Sequence, residues 1–205
     1  MKHLLSINDL TKKDVEKIFA ETKRLKKPKG TELRNKSLAM IFEKPSTRTR
    51  VSFEVAMTQL GGASIYLSPR DTQLSRGETI SDTANVLSRY VDAACARLFV
   101  HEVLVELAKH SSIPVINALT DLEHPCQALA DIYTIVEKRK DWQKLKLAWG
   151  GDGSNVCNSN ILLAKKLGLN MVVSTPKELK PHYDCKWTED PKKAVTNADV
   201  IMTDT

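Results

Sequence analysis

One short segment gathers the side chains best suited to hold a phosphate. Residues 46–50, with the sequence STRTR, contain three hydroxyl groups and two arginines in five positions. The segment lies between a predicted strand and a predicted helix, and the first turn of a helix has free backbone N–H groups and a partial positive charge. Arg48 adds a forked cation that suits phosphate oxygens. Ser46 or Thr47 could instead serve only as a helix cap. A cap needs one such residue, so the whole segment predicts an oxyanion site.

A second polar segment, His124-Pro125-Cys126-Gln127, comes just before another predicted helix. It follows a strand and a short loop, and the ends of parallel strands are where active-site groups usually lie. Gln127 has both amide donors and a carbonyl acceptor and therefore suits a planar amide. A lone histidine is more often structural than catalytic. Cys126 with His124 is a conceivable nucleophile pair, but no third, orienting group is visible.

The glycine-containing loop 150–155, with the sequence GGDGSN, also lies between a predicted strand and a predicted helix. Its placement resembles that of a dinucleotide-binding loop, but Val156 stands where the third glycine is expected. The following strand ends in Ser174-Thr175-Pro176 and offers no acidic residue for a ribose. The pattern favours a loop that brings its backbone and Asn155 against a small polar substrate over a nicotinamide site.

Composition and charge narrow the class of protein. The chain has 205 residues, of which 41% are hydrophobic and 27% charged, as is ordinary for a globular protein. The formal charge of +6 includes the basic run 23–29. Such a run is typical of a nucleic-acid patch or of a solvated helix end, and the lack of interleaved aromatic residues favours the second. No apolar run approaches the roughly 20 residues that span a bilayer. The N-terminal sequence becomes polar too early for a secretory signal. Together these two features predict a cytoplasmic protein.

The four cysteines are spread along the chain, at Cys95, Cys126, Cys157 and Cys185. No two of them form a C-x-x-C pair, and no signal peptide points to an oxidising compartment. We therefore predict neither a disulfide framework nor a zinc site.

Alternating strand and helix patterns place these segments on an α/β framework. Apolar periodicity predicts helices at 11–26, 78–91, 103–109 and 127–138, one that ends at Gly61-Gly62 and one that runs to about residue 167. Short β-rich runs predict strands at 37–42, 63–67, 94–100, 114–118, 145–149, 171–174 and 199–203. Strands separated by helices require a parallel sheet with helices on its faces. The charged stretch 137–141 is the best candidate junction, so we predict two α/β domains, 1–138 and 139–205.

Four ordered motifs resemble the aspartate/ornithine carbamoyltransferase family. The stretch FEKPSTRTRVSFE with the following GG is similar to its carbamoyl-phosphate signature, and DTQLSRGETISDTANVLSRYVDA to its second characteristic stretch. HPCQALAD resembles the third, and GDGSNVCNS resembles the start of its amino-acid-binding domain. The resemblance covers nearly all of residues 1–175 and implies the fold of two parallel-sheet α/β domains known in the family.

The resemblance also implies roles for individual residues. The phosphate would lie against Ser46, Thr47, Arg48 and Thr49. The developing charge on the tetrahedral centre would be stabilised by Thr49, Arg97 and His124. The HPCQ motif, with Pro125 and Cys126, would place Gln127 on the carbamoyl amide. Gln73 would reach into a neighbouring subunit, which implies a homotrimer or a multiple of trimers. Asn155 would hold the α-amino-acid end of the acceptor.

The implied reaction is transfer of the carbamoyl group of carbamoyl phosphate to the δ-amine of L-ornithine, without a metal or an organic cofactor. HPCQ and GDGSNVCNS resemble the ornithine-type forms of their motifs. Putrescine remains a competing acceptor. A non-catalytic protein that binds carbamoyl phosphate or assembles with a relative is the alternative of a different class. The reaction would serve arginine biosynthesis or, in reverse, arginine catabolism.

The chain departs from the family pattern at a few positions. Ser75 replaces a glycine and Asn85 a common arginine. Only 21 residues separate Pro176 from Ala198, fewer than the family has there. The family's ornithine loop and HCLP motif do not occur, so we expect a C-terminally truncated chain with an incomplete second domain.

Overall fold

The computed structural model describes residues 3–68, 70, 72–73 and 77–204. Contacts divide the chain into two compact units, one made of Met1–Leu5 and Lys17–Asp121 and the other of Ser6–Glu16 and Leu122–Thr205. Helix α1, Lys12–Leu25, has residues in both.

The first unit is built on a parallel sheet of four strands in the order β2-β1-β3-β4. Its strands are β1 Ser37–Phe42, β2 Ala63–Leu67, β3 Ala93–Arg97 and β4 Val115–Leu119. Its helices after α1 are α2 Thr47–Gln59, α3 Ile80–Tyr90 and α4 His101–His110. Strand β1 is buried from Leu38 to Phe42 because apolar clusters cover both of its faces.

The pairing of β1 with β3 positions the segment 43–50, which contains the predicted oxyanion site STRTR and is named the anion loop. Phe42, the last residue of β1, lies opposite Arg97, the last residue of β3. In a parallel sheet the two strands therefore end at the same edge. The loop that follows β1 begins beside Arg97, and it leads directly into α2.

The second unit has its own parallel sheet, in the order β7-β6-β5-β8. Its strands are β5 Lys146–Gly150, β6 Asn170–Ser174, β7 Lys186–Thr188 and β8 Val200–Met202. Its helices are α5 Pro125–Lys138, α6 Asn155–Leu167 and α7 Pro191–Val195, and a 3-10 turn covers Ile7–Asp9. Helix α6 is buried from Val156 to Ala164, polar residues included.

The predicted fold class is confirmed, since both sheets are parallel and alternate with helices along the chain. Strand β7 and helix α7 were not predicted. The compact units differ from the predicted domains 1–138 and 139–205, because α5 packs against α6 and groups with the second unit. The position of the domain boundary stays a prediction.

Candidate functional site

The start of α2 is a helix N-terminus at the carboxyl edge of the first sheet. Ser46 has the extended backbone of an N-cap, with φ −159° and ψ 122°, and its Oγ accepts the Thr49 N–H at 3.2 Å. The cap function of Ser46 is therefore real, but it uses one of the loop's three hydroxyl groups. The N–H groups of Thr47 and Arg48 belong to the first turn, which has no intrahelical acceptors for them.

Arg97 is fastened to the loop that leads into α2. Its Nε donates to the carbonyl oxygen of Lys44 at 3.2 Å, and its own carbonyl oxygen accepts the Glu43 N–H at 2.9 Å. The Glu43 carboxylate in turn accepts the Phe99 N–H at 3.1 Å. These bonds hold the end of β3 and the loop after β1 in one fixed arrangement.

The charge of Arg97 is largely withdrawn from water. The residue is 9% exposed, and burial lowers the pKa of its guanidinium from the usual 12.5. An arginine side chain nevertheless stays charged at neutral pH in proteins. Among the described residues, no carboxylate forms an ion pair with Arg97. A buried cation is costly unless an anion compensates it. The environment of Arg97 therefore favours an anionic ligand.

The two arginines of STRTR have different surroundings. Arg50 donates from Nε to Glu54 at 3.0 Å, and its guanidinium lies 3.7 Å from the centre of the Tyr66 ring. Arg48 is exposed and forms no ion pair with a carboxylate in the described part of the chain. Arg50 thus has a structural role, whereas Arg48 is the cation of the loop that remains available to a ligand.

His124 is the N-cap residue of α5 and is 7% exposed. Pro125 follows at the first helical position, where a missing N–H costs nothing. The backbone N–H of His124 donates to Ser159 Oγ at 2.8 Å. Because Ser159 lies on the buried face of α6, the backbone that carries the imidazole is anchored to the interior of the second unit.

Gln127 lies on the exposed side of the first turn of α5. Its Nε2 donates to Asp131 Oδ1 at 2.8 Å, and the other oxygen of Asp131 accepts from Asn160 Nδ2 at 3.0 Å. The side-chain amide of Gln127 is thereby oriented by a carboxylate one turn along the helix.

The Cys126 thiol is unsuited to nucleophilic catalysis. Burial raises its pKa from 9.0 to about 12, so the thiol stays protonated at neutral pH. A nucleophilic cysteine needs the opposite shift. The geometry thus disfavours the pair of Cys126 with His124 as a nucleophile.

The loop before α6 is shaped by a close backbone contact. The Gly153 N–H donates to the Leu179 carbonyl oxygen at 2.9 Å, and a Cβ at Gly153 would lie only 2.3 Å from that oxygen. Glycine is therefore required here for packing against the segment after β6. Ser154 Oγ is buried and has no hydrogen-bond partner in the described part of the chain, and the half-buried Asn155 begins α6.

Sequence patterns did not identify the polar residues that hold the HPCQ segment. Asn158, Ser159 and Asn160 are all buried in α6, and each bonds to residues of the 122–131 region. The available signal was the polar run NSN between the apolar stretches 156–157 and 161–164 of the helix. Gln73 is exposed, and its carbonyl oxygen accepts the Glu78 N–H at 3.1 Å. Ser75 lies outside the described residues.

The described residues contain no group of three or more histidine, cysteine or acidic side chains arranged to hold a metal ion. None of their helices is long and apolar enough to cross a membrane.

A parallel α/β unit with a helix N-terminus and arginines at its sheet edge is an arrangement typical of proteins that bind a small anion. Two family descriptions match the chain. Residues 2–137 match "Aspartate/ornithine carbamoyltransferase, carbamoyl-P binding domain", and residues 143–205 match "Aspartate/ornithine carbamoyltransferase, Asp/Orn binding domain". The chain belongs to the aspartate/ornithine carbamoyltransferase family.

Individual relatives agree with this assignment. The ornithine carbamoyltransferase of Archaeoglobus fulgidus is 52% identical over 100% of this chain and 72% of its own length. That of Pyrococcus horikoshii is 48% identical over 99% of this chain and 70% of its own length. Among solved structures, ornithine carbamoyltransferase from Thermus thermophilus has a TM-score of 0.94 at 39% identity, and covers 100% of this chain and 74% of its own. The Pyrococcus furiosus enzyme has a TM-score of 0.91 at 46% identity, with 100% and 72% covered.

Proposed function

We propose that this protein transfers the carbamoyl group of carbamoyl phosphate to the δ-amine of L-ornithine. The nitrogen lone pair attacks the carbonyl carbon, the bond from that carbon to the phosphate oxygen breaks, and the amine loses a proton. The products are L-citrulline and phosphate. The observation that carries the proposal is the buried Arg97 cation, which is tied to the anion loop and has no carboxylate partner among the described residues.

The phosphate is held, in this proposal, by the start of α2. Its oxygens accept hydrogen bonds from backbone N–H groups of the first turn and from the hydroxyl groups of Ser46, Thr47 and Thr49, while the exposed Arg48 supplies a cation. The helix N-terminus and the guanidinium groups both favour a negatively charged ligand.

The reacting carbonyl group gains negative charge as the amine attacks. Hydrogen-bond donors that are fixed before the reaction lower the barrier most effectively, because they need no reorganisation. We assign this role to Thr49, Arg97 and His124. The fixed loop around Arg97 and the anchored backbone of His124 support the assignment.

Two residues of the second unit are assigned to recognition. Gln127 forms hydrogen bonds with the carbamoyl amide. The hydrogen bond from Gln127 to Asp131, which orients the side chain, supports this role. Asn155, together with Pro125 and Cys126 at the start of α5, completes the predicted set of substrate contacts. Asn155 takes the α-amino-acid end of ornithine at the start of α6.

The test is citrulline formation by the purified chain, with putrescine and aspartate as comparison acceptors. We expect product from ornithine and a large loss of activity in Arg97→Ala. Arg50→Ala is the matched control, because Arg50 already has Glu54 and Tyr66 as partners. If product forms only with putrescine, then putrescine and not ornithine is the acceptor. Carbamoyl phosphate binding without product from any acceptor would favour the non-catalytic alternative.

We also propose that the protein forms a homotrimer, with Gln73 contacting a neighbouring subunit. The exposed apolar side chains Val51 and Val55 on α2 and Ile65 on β2, an edge strand of the sheet, support a subunit interface in the first unit. Light scattering on Val55→Asp and on the unaltered chain tests this, and equal masses would exclude Val55 from the interface. The cytoplasmic location and the direction of the pathway stay predictions.

A further inference from the structure

Glu123, the residue before His124, has a carboxylate that is fully buried. One of its oxygens accepts hydrogen bonds from the hydroxyl groups of Ser6 and Tyr183, the latter at 2.9 Å. The other accepts the Ile7 N–H at 3.0 Å and the Ser159 hydroxyl at 3.3 Å. A carboxylate buried at this depth and supplied with four donors is held in one orientation.

Ser159 connects this carboxylate to the backbone of His124. Its hydroxyl donates to Glu123 and accepts the His124 N–H at 2.8 Å. The neighbouring Asn158 donates from Nδ2 to the Leu122 carbonyl oxygen at 3.1 Å. Three consecutive residues, 122–124, are therefore each bonded to one turn of α6.

The same turn of α6 also holds the segment between β6 and β7. Asn158 Oδ1 accepts the His182 N–H at 2.9 Å, and Tyr183 reaches Glu123 directly. A few residues earlier, Leu179 accepts the N–H of Gly153 in the loop before α6. One end of the segment 179–183 is thus bonded to Gly153 in the loop before α6. Its other end is bonded to Asn158 and Glu123, which support the backbone at His124.

We propose that Glu123 is a positioning residue for His124, and that Tyr183 and Ser159 complete the link between that histidine and the 179–183 segment. The inference rests on the proposed function only for the role of His124 at the carbamoyl group. None of these three residues was in the predicted substrate site.

The chemistry of Tyr183 suits a permanent donor. Two causes raise the pKa of its hydroxyl well above the usual 10. The larger cause is burial, and the smaller is the nearby Glu123 carboxylate. The hydroxyl therefore keeps its proton throughout the pH range in which enzymes are assayed. Deprotonation of Tyr183 therefore does not remove this donor in that pH range.

A purely stabilising role for Glu123 makes a different prediction. Loss of a stabilising contact lowers the melting temperature but leaves the remaining folded molecules with an unchanged His124. A positioning role alters the environment of His124 in molecules that are still folded. Tyr183→Phe separates the two, because it keeps the ring and removes one hydroxyl group. Tyr90→Phe is the matched control, since Tyr90 is 78% exposed.

The experiment is NMR of the complete chain, with the backbone amide and imidazole signals of His124 as the readout. In Tyr183→Phe and in Glu123→Gln we expect shifted His124 signals and hydrogen exchange of its amide about tenfold faster, as the loss of one supporting hydrogen bond allows. Tyr90→Phe should leave both unchanged. If Tyr183→Phe leaves the His124 signals and exchange as they are in Tyr90→Phe, the positioning role is overturned, whether or not Glu123→Gln folds.

Steady-state kinetics provide a second readout of the same inference. We expect kcat for citrulline formation to fall about tenfold in Tyr183→Phe, with KM for carbamoyl phosphate within about twofold, because binding of the phosphate depends on other residues. An unchanged kcat together with unchanged NMR signals contradicts the inference. If the unaltered chain makes no citrulline, the proposed function fails, and the NMR measurement still decides the role of Glu123.

Discussion

Arg97 in the first unit and Glu123 in the second are both buried charged residues, yet their surroundings differ. Arg97 donates one hydrogen bond to a backbone carbonyl oxygen and has no carboxylate partner among the described residues. In the described part of the chain, Glu123 accepts at least four hydrogen bonds, three from hydroxyl groups and one from a backbone N–H. A buried charge with few partners is where a ligand of opposite charge gains most, whereas one with many partners organises the protein around it.

The comparison separates binding from positioning within the proposed site. Removal of Arg97 should affect the ligand far more than the fold. Removal of Glu123 should lower the free energy of unfolding and should also alter the environment of His124 in the molecules that stay folded. Variants at these and neighbouring residues test this division.

The largest effect is expected from Arg97→Ala. Loss of one member of a buried charge pair costs about 4 kcal/mol, or roughly a thousandfold in affinity. Calorimetric titration with carbamoyl phosphate measures this, and the thermal stability of the free protein should change little. Arg50→Ala, the control, should keep its affinity within about threefold. Equal losses in the two variants would mean that Arg97 has no special role.

The next effect concerns stability. Glu123→Leu keeps a similar volume but leaves buried donors without an acceptor, and we expect the free energy of unfolding to fall by about 3 kcal/mol. Urea denaturation measures this, with the exposed Glu178→Leu as the control. A loss below about 1 kcal/mol would show that the donors find other acceptors and that the network is not the main support of the 122–124 backbone.

The sequence was sufficient to predict the framework because the α/β alternation depends on local periodicity. Most predicted strands and helices occur within a few residues of the expected bounds. Strand β7 and helix α7 were missed for a physical reason. They have three and five residues. Strand β7 exists through pairing of Lys186 with Val172, which periodicity does not reveal.

The candidate site was predictable to a similar extent. The anion loop has local signals, a strand followed by hydroxyl residues at a helix start. Arg97 is a single arginine at the end of an alanine-rich strand, and only the family resemblance singled it out. The partners of Glu123 lie 60 residues away at Tyr183 and 117 residues away at Ser6. Such a network depends on tertiary packing, so no pattern in the sequence could indicate it.

A smaller effect is expected from Ser46→Ala, which removes the cap of α2. Loss of a cap costs about 1 kcal/mol of stability. Thr79→Ala is the control, because Thr79 caps α3 in the same way through the Asp82 N–H. Urea denaturation should show similar losses in both variants, and calorimetry should show weaker carbamoyl phosphate binding only in Ser46→Ala. Weaker binding in both would mean that the effect comes from stability and not from a contact with phosphate.

The smallest effect on binding is expected from Cys126→Ser. Its thiol has a pKa raised to about 12, so no thiolate is present at neutral pH, and affinity for carbamoyl phosphate should stay within about threefold.

The raised pKa of Cys126 does affect the stability of the folded chain. Below pH 9 both the folded and the unfolded chain hold the proton, and between pH 9 and about 12 only the folded chain does, so this contribution to stability is lost as the pH rises. Urea denaturation at pH 8 and pH 10.5 should therefore show a smaller decline in Cys126→Ser than in the unaltered chain. Buried Cys157, whose pKa is also raised, should preserve part of the decline. A large loss of binding in Cys126→Ser, with Arg97→Ala unaffected, would reverse the division of roles between the two units.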